Sequence, residues 1–264
     1  MTEERELVPY EALGVPPAAH VLVVAPHPDD EVFGCGGCAR LHVLSGAQVD
    51  VVVLTDGGGA GDPAVRAQES RAACAALGLS EPSFWAYPDR GLAAHPQTMT
   101  RLVQQLSHTL GSGGYDLVYA PSPWEVHPDH RAAARAVAQA VLERRRAQSL
   151  SGSGDSLRWA AYEVGSPLWP QRLVNIDRVL VDKQRAMACF ASQLAFQPYD
   201  EHILALNRYR SYTVSGACRH AEALWLPDEA ALQQVIDDWD QGPVHRAAQV
   251  VNAAGAGVRM DRGG

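Results

Sequence analysis

Short apolar segments alternate with longer segments of mixed polarity along most of the chain. The segments 20–25 (HVLVVA) and 48–55 (QVDVVVLT) are the clearest apolar ones, and each predicts a strand buried on both faces of a sheet. Weaker strands are predicted at 83–87, 115–120, 159–164, 173–176 and 222–226. Helices are predicted at 31–44, 64–77, 97–110, 130–146, 179–194, 199–209 and 228–239. This alternation predicts an α/β fold with a Rossmann-like, mainly parallel sheet flanked by helices.

No segment between these elements has the composition of a linker that would demand two domains. We therefore expect a single domain over residues 1–264, with a core at about 20–195 and a smaller C-terminal extension at about 196–250. Residues 148–156 (QSLSGSGDS) predict a flexible loop, because serine and glycine dominate them. Residues 252–264 are rich in glycine and alanine and predict a frayed tail.

The overall charge limits the classes of partner. The formal net charge is −8 and the isoelectric point about 5.6, which argues against binding to nucleic acid and disfavours an anionic membrane surface. No run approaches the ~18 apolar residues of a membrane span, and the first residues lack the pattern of a secretory signal. The five cysteines are scattered and odd in number, which argues against a disulfide framework. These features predict a cytoplasmic protein.

Two clusters of histidine and acidic residues directly follow predicted strands. The first is 27–31 (HPDDE), after the strand 20–25, and the second is 127–130 (HPDH), after the strand 115–120. Ligands of an open parallel sheet bind beyond the carboxyl ends of its strands, so the clusters are expected to converge. Two histidines and one carboxylate match the ligands of a catalytic zinc ion, and another carboxylate remains as a base. The competing explanation is that these acids merely cap the helix near Glu31.

These motifs carry a resemblance to a known family. The segments 24–31 (VAPHPDDE) and 127–130 (HPDH) resemble the PIG-L/LmbE-like family of zinc-dependent N-acetylglucosamine deacetylases. Weaker matches extend the resemblance over about residues 20–195, most of the chain. They are the glycine-rich start of the first helix at 34–37, the TDG loop at 55–57, the R-x-x-E helix at 66–69 and the K-x-x-A and S-Q positions within 183–193.

The resemblance implies one Zn²⁺ per chain and assigns its ligands by position. His27, Asp30 and His130 look like the zinc ligands, and Asp29 looks like the general base. An amide is a poor electrophile, and a zinc ion both lowers the pKa of a bound water and polarises a carbonyl oxygen. A neighbouring carboxylate that does not bind the metal is suited to accept the proton of that water.

The same resemblance implies roles for four further residues, and at a fifth position, Glu125, this chain departs from the family pattern. His127 looks like the group that stabilises the oxyanion or protonates the leaving amine, with Asp129 orienting it. Arg66 and Asp89 look like contacts to sugar hydroxyls. Some family members carry a tyrosine where this chain has Glu125. We expect Glu125 instead to orient His127 or to contact a sugar hydroxyl.

The implied reaction removes the acetyl group from an N-acetylated amino sugar, giving acetate and a free amine. The partner is then a small amino-sugar conjugate, and a homo-oligomer stays open. The alternatives are a zinc amidase acting on a non-sugar amide, and a non-catalytic protein that binds a sugar or nucleotide with the same fold. Residues 34–39 fit a dinucleotide fingerprint in spacing, but their first glycine does not directly follow the strand, which disfavours nucleotide binding.

Several residues outside the motifs have two explanations each. Cys35 and Cys38 form a C-x-x-C pair without a second pair, which favours helix packing over a zinc or redox role. Arg208 and Arg210 either bind an anionic or sugar part of a substrate or form a solvated helix face. His220 is a candidate to reach the site from the C-terminal part of the chain.

Overall fold

A computed structural model describes residues 11–151, 157–214 and 216–241. The strands are β1 (Glu11–Leu13), β2 (His20–Ala25), β3 (Gln48–Thr55), β4 (Ser83–Tyr87), β5 (Leu117–Pro121), β6 (Arg158–Tyr162), β7 (Arg172–Asn175) and β8 (Ala221–Leu224). The α-helices are α1 (Asp30–Phe33), α2 (Gly36–Leu44), α3 (Pro63–Leu77), α4 (Pro96–Ser112), α5 (Pro128–Ser151), α6 (Leu180–Met187), α7 (Ala191–Leu194), α8 (Tyr199–Arg210) and α9 (Glu229–Asp240).

The central sheet contains five parallel strands in the order β4-β3-β2-β5-β6. Chain order runs outward in one direction from β2 to β4 and in the other direction from β5 to β6. The point between β2 and β5, where the order reverses, is the place where open α/β sheets bind ligands. The prediction of an α/β fold with a mainly parallel sheet flanked by helices is confirmed.

The apolar runs of the strands are explained by helices on both faces of the sheet. Along β2, Val21 and Val23 face a core that includes side chains of α2, α3 and α6. Leu22 and Val24 face a second core, built with α4, α5 and α9. A strand covered on both sides needs apolar residues at every position, which is why 20–25 shows no alternation.

Two predicted helices are each divided in the structure. The helix predicted at 31–44 is interrupted between α1 and α2, where Gly34 packs so closely on the ring of Tyr162 that no β-carbon would fit. The carboxylate of Glu222 accepts hydrogen bonds from the first amides of α2, at 2.8 and 2.7 Å. The helix predicted at 179–194 is likewise divided into α6 and α7.

The loop predicted at 148–156 is wrong over its first part, because α5 continues to Ser151. Residues 152–156 and the tail predicted at 252–264 lie outside the described residues. The division into a core and a C-terminal extension stays a prediction. Within the described ranges, no helix combines the length and apolar character needed to cross a bilayer.

A second, smaller sheet has the order β1-β7-β8, with β1 parallel and β8 antiparallel to β7. The short strand β1 was not predicted. This sheet is tied to α1 and α6 by a buried ion pair. Lys183 is fully buried and donates to Phe33 O at 3.1 Å, Asn207 Oδ1 at 3.1 Å and Glu222 Oε1 at 2.7 Å. The pair therefore links α6, α8, β8 and the start of α2 behind the carboxyl end of β2.

Candidate active site

The segment after β2 is held in an unusual backbone conformation. Asp29 has φ 139° although it is not glycine, a conformation that costs about 1–3 kcal/mol. Its amide donates to Glu31 Oε2 at 2.9 Å, and Glu31 also accepts a hydrogen bond from Ser70 Oγ at 2.5 Å. The Asp29 carbonyl accepts the first hydrogen bonds of α1, but its side chain does not cap the helix. Capping therefore does not explain the acid at this position.

The second motif lies beyond β5, the strand that neighbours β2 in the sheet. Pro128 is the first residue of α5, a position that suits proline because its missing N–H would have no partner there. The amide of Arg131 donates to His127 O at 3.2 Å, so the HPDH motif forms the first turn of the helix. His130 lies on that turn and faces the segment after β2.

His27, Asp30 and His130 form a compact triangle of possible ligand atoms. His27 Nδ1 lies 3.2 Å from Asp30 Oδ2, His130 Nε2 lies 3.1 Å from the same oxygen, and the two nitrogens are 3.3 Å apart. Ligand atoms ~2.0–2.1 Å from a tetrahedral zinc ion are ~3.3 Å from one another. The three side chains therefore fit one face of a zinc tetrahedron, and the protein has a His/Asp group that could hold a metal.

The described residues also contain two wider sets of possible ligands, and in each set the ligand atoms all lie within 4.8 Å of one another. One set is His27, His127 and His130, and the other is His27, Asp89, His127 and Asp129. Both sets contain His27 and His127, and His27 also belongs to the triangle with Asp30 and His130.

The electrostatics of the triangle favour a positive charge. Burial on its own lowers the pKa of His27, but the carboxylates of Asp129, Asp30 and Asp89 outweigh it and hold that pKa well above its ordinary value. For His130, burial is outweighed by Asp30, and the pKa is raised to about 9. Burial would raise the pKa of Asp30, yet the two histidines hold it far below the usual range. A bound cation would satisfy the same acidic surroundings.

Arg66 binds the candidate base rather than facing outward. Its guanidinium donates to Asp29 Oδ2 at 2.9 Å, to Pro28 O at 2.7 Å and to Gly57 O at 2.9 Å, and the residue is 3% exposed. Burial and the neighbouring Asp30 raise the pKa of Asp29 to about 8, although Arg66 counteracts them. Arg66 was expected to contact a sugar, and that contact stays a prediction. In the structure its principal partner is Asp29.

Asp89 lies on the other side of His27. Its Oδ1 is 3.4 Å from His27 Nε2, and its Oδ2 accepts a hydrogen bond from the amide of Gly59 at 3.0 Å. The His27 ring, whose Nε2 is 3.4 Å away, lowers the pKa of Asp89 to about 2, so its carboxylate is charged. A charged carboxylate at the wall of a cavity is suited to accept hydrogen bonds from hydroxyl groups.

Asp129 orients His127 through its backbone and not through its carboxylate. The amide of Asp129 donates to His127 Nδ1 at 3.2 Å. The carboxylate accepts from the amides of Arg90 at 2.6 Å and Leu92 at 3.1 Å, and its Oδ2 is 3.4 Å from His27 Nε2. Burial and the nearby histidines lower the pKa of His127, which keeps the ring neutral. With Nδ1 accepting a hydrogen bond, its Nε2 carries the proton.

Glu125 has a different partner from the one expected. Its Oε2 lies 3.4 Å from His130 Nδ1, so it faces His130 and not His127. The two carboxylate oxygens also accept hydrogen bonds from the amides of Val164 at 2.6 Å and Gly165 at 2.9 Å. Glu125 is buried, and it connects the second motif to the segment after β6.

Most of these side chains line one cavity of about 870 Å³ at the carboxyl end of the sheet. The volume lies in the upper part of the ~300–1,000 Å³ range of small-molecule sites. Sequence reasoning missed several of the residues in its wall, because nothing in the local sequence of an isolated apolar or amide residue indicates a site. The missed residues are Phe33, Arg90, Val126, Val164, Gly165, Phe196 and Tyr199.

The candidates from the C-terminal part lie elsewhere. Arg210 is paired with Glu163, its Nη2 lying 2.6 Å from Oε2, and Arg208 donates to a backbone carbonyl. His220 Nδ1 lies 3.4 Å from Asp177 Oδ1, so the expected approach of His220 to the site is wrong. Among the described residues, none of these three histidine and arginine candidates lines the cavity.

The two cysteines of the C-x-x-C pair are free and buried in the apolar core formed with α2. Cys35 lies at the break between α1 and α2, and Cys38 lies within α2. Burial raises the pKa of both thiols well above the ordinary value, which keeps them protonated. These contacts agree with the packing role that the sequence favours.

Comparison with known proteins places these motifs in a family. The family model described as PIG-L, GlcNAc-PI de-N-acetylase, matches residues 22–141, a range that includes both motifs. A probable N-acetyl-alpha-D-glucosaminyl L-malate deacetylase 2 of Bacillus anthracis is 32% identical over 136 residues, covering 46% of this chain and 59% of the relative. The chain thus matches about three fifths of the length of this curated relative.

Solved structures show the same fold. The conserved protein TT1542 from Thermus thermophilus has a TM-score of 0.66 and 30% identity, covering 79% of this chain and 94% of its own. The N,N'-diacetylchitobiose deacetylase from Pyrococcus horikoshii has a TM-score of 0.66 and 22% identity, covering 81% of this chain and 85% of its own. From the family model together with the relative aligned over nearly its whole length, the chain belongs to the PIG-L family.

Proposed function

We propose that this protein is a zinc-dependent hydrolase that deacetylates an N-acetylated amino sugar of the N-acetylglucosamine type, releasing acetate and a free amine. The observation that carries the proposal is the triangle of His27, Asp30 and His130 with the carboxylate of Asp29 beside it, inside a ligand-sized cavity. The names of the relatives, deacetylases of an N-acetylglucosaminyl malate and of diacetylchitobiose, support the substrate class.

In this proposal His27, Asp30 and His130 hold one zinc ion, which would supply Lewis acidity for activating water and polarising the amide carbonyl. Asp29 accepts the proton of the attacking water. Burial raises the pKa of Asp29 above the ordinary carboxyl value, which makes its carboxylate a stronger proton acceptor than an exposed one. Arg66 holds the Asp29 carboxylate at 2.9 Å and so fixes the direction in which it accepts that proton.

His127 acts on the opposite side of the reacting amide. The amide of Asp129 donates to its Nδ1, so its Nε2–H is free to donate towards the cavity. A neutral imidazole N–H fixed in this way is suited to stabilise the negative charge that develops on the carbonyl oxygen. The proton held by Asp29 is then available for the leaving nitrogen, which departs as the free amine.

The polar wall of the cavity is the proposed place of the sugar hydroxyls. Asp89 is charged, and the exposed Arg90 next to it also lines the cavity.

The cytoplasmic location proposed from the sequence is supported by the five cysteines, all of which are free. A reducing compartment preserves such thiols.

The deciding experiment loads metal-free protein with one equivalent of zinc and supplies a panel of N-acetylglucosamine conjugates together with N-acetylated amino acids. Free amine and acetate are measured for each compound. We expect the two products in equal amounts from the sugars, only with metal present, and none from the Asp29→Asn variant. Preference for the amino acids would support the amidase alternative. Binding of a sugar without turnover at any metal loading would support the non-catalytic alternative.

A further inference from the structure

Exposed apolar side chains stand at the mouth of the same cavity. Phe196 is 82% exposed and Val126 is 70% exposed, and both line the cavity. Single exposed apolar residues are common on protein surfaces and by themselves indicate nothing. Two large ones on separate segments that border one ligand-sized cavity are different, since a ligand entering there would cover both.

The segments that present these two side chains are fixed in place. The guanidinium of Arg131 donates to Glu125 O at 2.9 Å and to Val126 O at 2.5 Å, which clamps the backbone around Val126. The amide of Phe196 donates to Gln193 O at 3.0 Å, and the side chain of Gln193 donates to Ala60 O at 3.1 Å. The backbone that carries each of the two side chains is thus held at the mouth of the cavity.

An apolar wall leads from Phe196 into the interior. Tyr199, half-buried, lies at the start of α8, and its ring centroid is 6.2 Å from that of the buried Phe33. Both rings line the cavity, and the half-buried Val164 lines it as well, beside the Glu125 carboxylate. Exposure therefore increases from Phe33 through Tyr199 to Phe196, from the reacting centre towards the solvent.

The polar and apolar parts of the lining differ in chemistry. Asp89, Arg90 and the glycine-rich 59–61 segment offer charges and backbone groups, as a sugar requires. The wall from Phe33 to Phe196 offers aromatic and aliphatic surface. If the acetamide of an amino sugar lies at the buried His27 and its hydroxyl groups face the polar part of the lining, the sugar does not cover the apolar wall. Another part of the same substrate molecule can then contact that wall.

We propose that this wall is a subsite for an apolar aglycone, so that the preferred substrates are alkyl or aryl glycosides of N-acetylglucosamine. The inference rests on the proposed deacetylase function and adds the chemical class of the group attached to the sugar. Phe196 and Val126 cover the outer part of that group, while Tyr199 and Val164 contact the part nearer the sugar.

The test compares methyl, hexyl and phenyl glycosides of N-acetylglucosamine on the zinc-loaded protein. Each fully buried methylene is worth about fourfold in affinity. A partly buried hexyl chain should therefore lower KM by about 10- to 100-fold relative to methyl, with little change in kcat. Equal KM values for the hexyl and methyl glycosides, with both deacetylated, would overturn the subsite and leave the proposed function standing.

Variants connect the effect to the wall. Phe196→Ala should reduce the hexyl-to-methyl ratio of kcat/KM by about three- to tenfold, and Phe196→Leu should retain most of it. Trp169 is 74% exposed and outside the cavity lining, so Trp169→Ala is the matched control and should keep the wild-type ratio. An equal loss of the ratio in both alanine variants would contradict the assignment to Phe196.

Two further arms separate the remaining possibilities. N-hexanoylglucosamine tests the acyl side: a gain for this compound without a gain for the hexyl glycoside would assign the wall to the acyl group and overturn the aglycone. Equilibrium binding of the glycosides, measured by calorimetry, needs no turnover. Binding that strengthens with chain length and weakens in Phe196→Ala would keep the subsite even if no glycoside were deacetylated. Absence of both binding effects together with absence of turnover would reject both proposals, whereas absence of the binding effects with turnover retained would reject the subsite alone.

Discussion

Two buried groups of charged residues, the Lys183–Glu222 pair and the cluster around His27, differ in how completely their hydrogen bonds are made. In the Lys183–Glu222 pair every ammonium proton has an acceptor, and Glu222 also accepts from two amides of α2. Around the triangle of His27, Asp30 and His130, His27 Nε2 and His130 Nδ1 have carboxylate oxygens at 3.4 Å but no hydrogen bond of good geometry. The first group is complete without a ligand, and the second is not.

The difference teaches how buried charge is used. A buried ion pair with all its hydrogen bonds made holds elements in one arrangement, and removing one partner leaves an uncompensated charge. A buried cluster with unmatched donors and a strained backbone at Asp29 costs stability, and a bound cation would offset part of that cost. Substitutions should therefore act on folding in one region and on metal and turnover in the other.

The largest expected effect separates Asp29 from Asp30. Asp29→Asn should keep zinc and lose about 10²–10⁴ in turnover, since an amide does not accept the proton of the water. Asp30→Asn should lose zinc, because a neutral amide is a poorer ligand than a carboxylate. Zinc content by metal analysis and free amine release are measured on both variants. Near-wild-type turnover in zinc-replete Asp29→Asn would refute the mechanism.

The next largest effect should distinguish the two histidines of the second motif, one expected to bind zinc and the other to act in turnover. His130→Ala should lose most of the bound zinc, because His130 Nε2 is one corner of the triangle. His127→Ala should keep the zinc and lose much of the turnover, because in the proposed mechanism His127 donates to the developing oxyanion. Metal analysis after dialysis distinguishes them. Full zinc in His130→Ala, or an empty site in His127→Ala, would reverse the assignment.

The Lys183–Glu222 pair should respond in stability. Lys183→Met should lower the free energy of unfolding by about 3–5 kcal/mol, because it leaves a buried Glu222 carboxylate without its counter-charge. The double variant Lys183→Met with Glu222→Gln should recover a large part of the lost free energy of unfolding. Asp30→Asn in metal-free protein is the contrasting variant and should cost far less. Chemical denaturation measures all three, and equal losses for Lys183→Met and Asp30→Asn would erase the distinction between the two regions.

Glu125 lies between the two kinds of group, because it is well hydrogen-bonded and also faces His130. Glu125→Gln should weaken zinc binding by about 10- to 100-fold, the usual cost of losing a carboxylate that orients a ligating histidine. Competition with a chelator measures this affinity. Glu163→Gln, which alters another buried carboxylate outside the cavity, is the control. A loss of turnover as deep as that of Asp29→Asn, with zinc bound, would make Glu125 the base.

The sequence was sufficient to predict the parallel sheet and the edge of the sheet at which the candidate site lies. The valine-rich strands predict a parallel sheet, and the rule that ligands bind at strand ends places 27–31 and 127–130 at one edge. What the sequence did not predict is pairing across the chain. The partner of Arg66 is Asp29 and that of Glu125 is His130, and such contacts depend on the packing of whole elements.

The predicted boundaries of the helices were wrong for the same reason, because they depend on contacts between distant residues. The interruption at Gly34 depends on the ring of Tyr162 and on the carboxylate of Glu222, which are more than a hundred positions away in the sequence. Phe196 was missed because an isolated phenylalanine after a predicted helix gives no local signal that it borders a cavity. Local pattern predicts an element, and distant residues decide where it ends and what it faces.

The backbone of Asp29 has a consequence for how this protein responds to selection. Glycine adopts φ 139° without the penalty that aspartate bears, so Asp29→Gly would relieve strain and remove a buried carboxylate at once. A screen that rewards heat resistance alone would favour this replacement, and the proposed base would be lost. Directed evolution of thermostability in this chain should therefore be coupled to an activity screen, because at this position the two goals oppose each other.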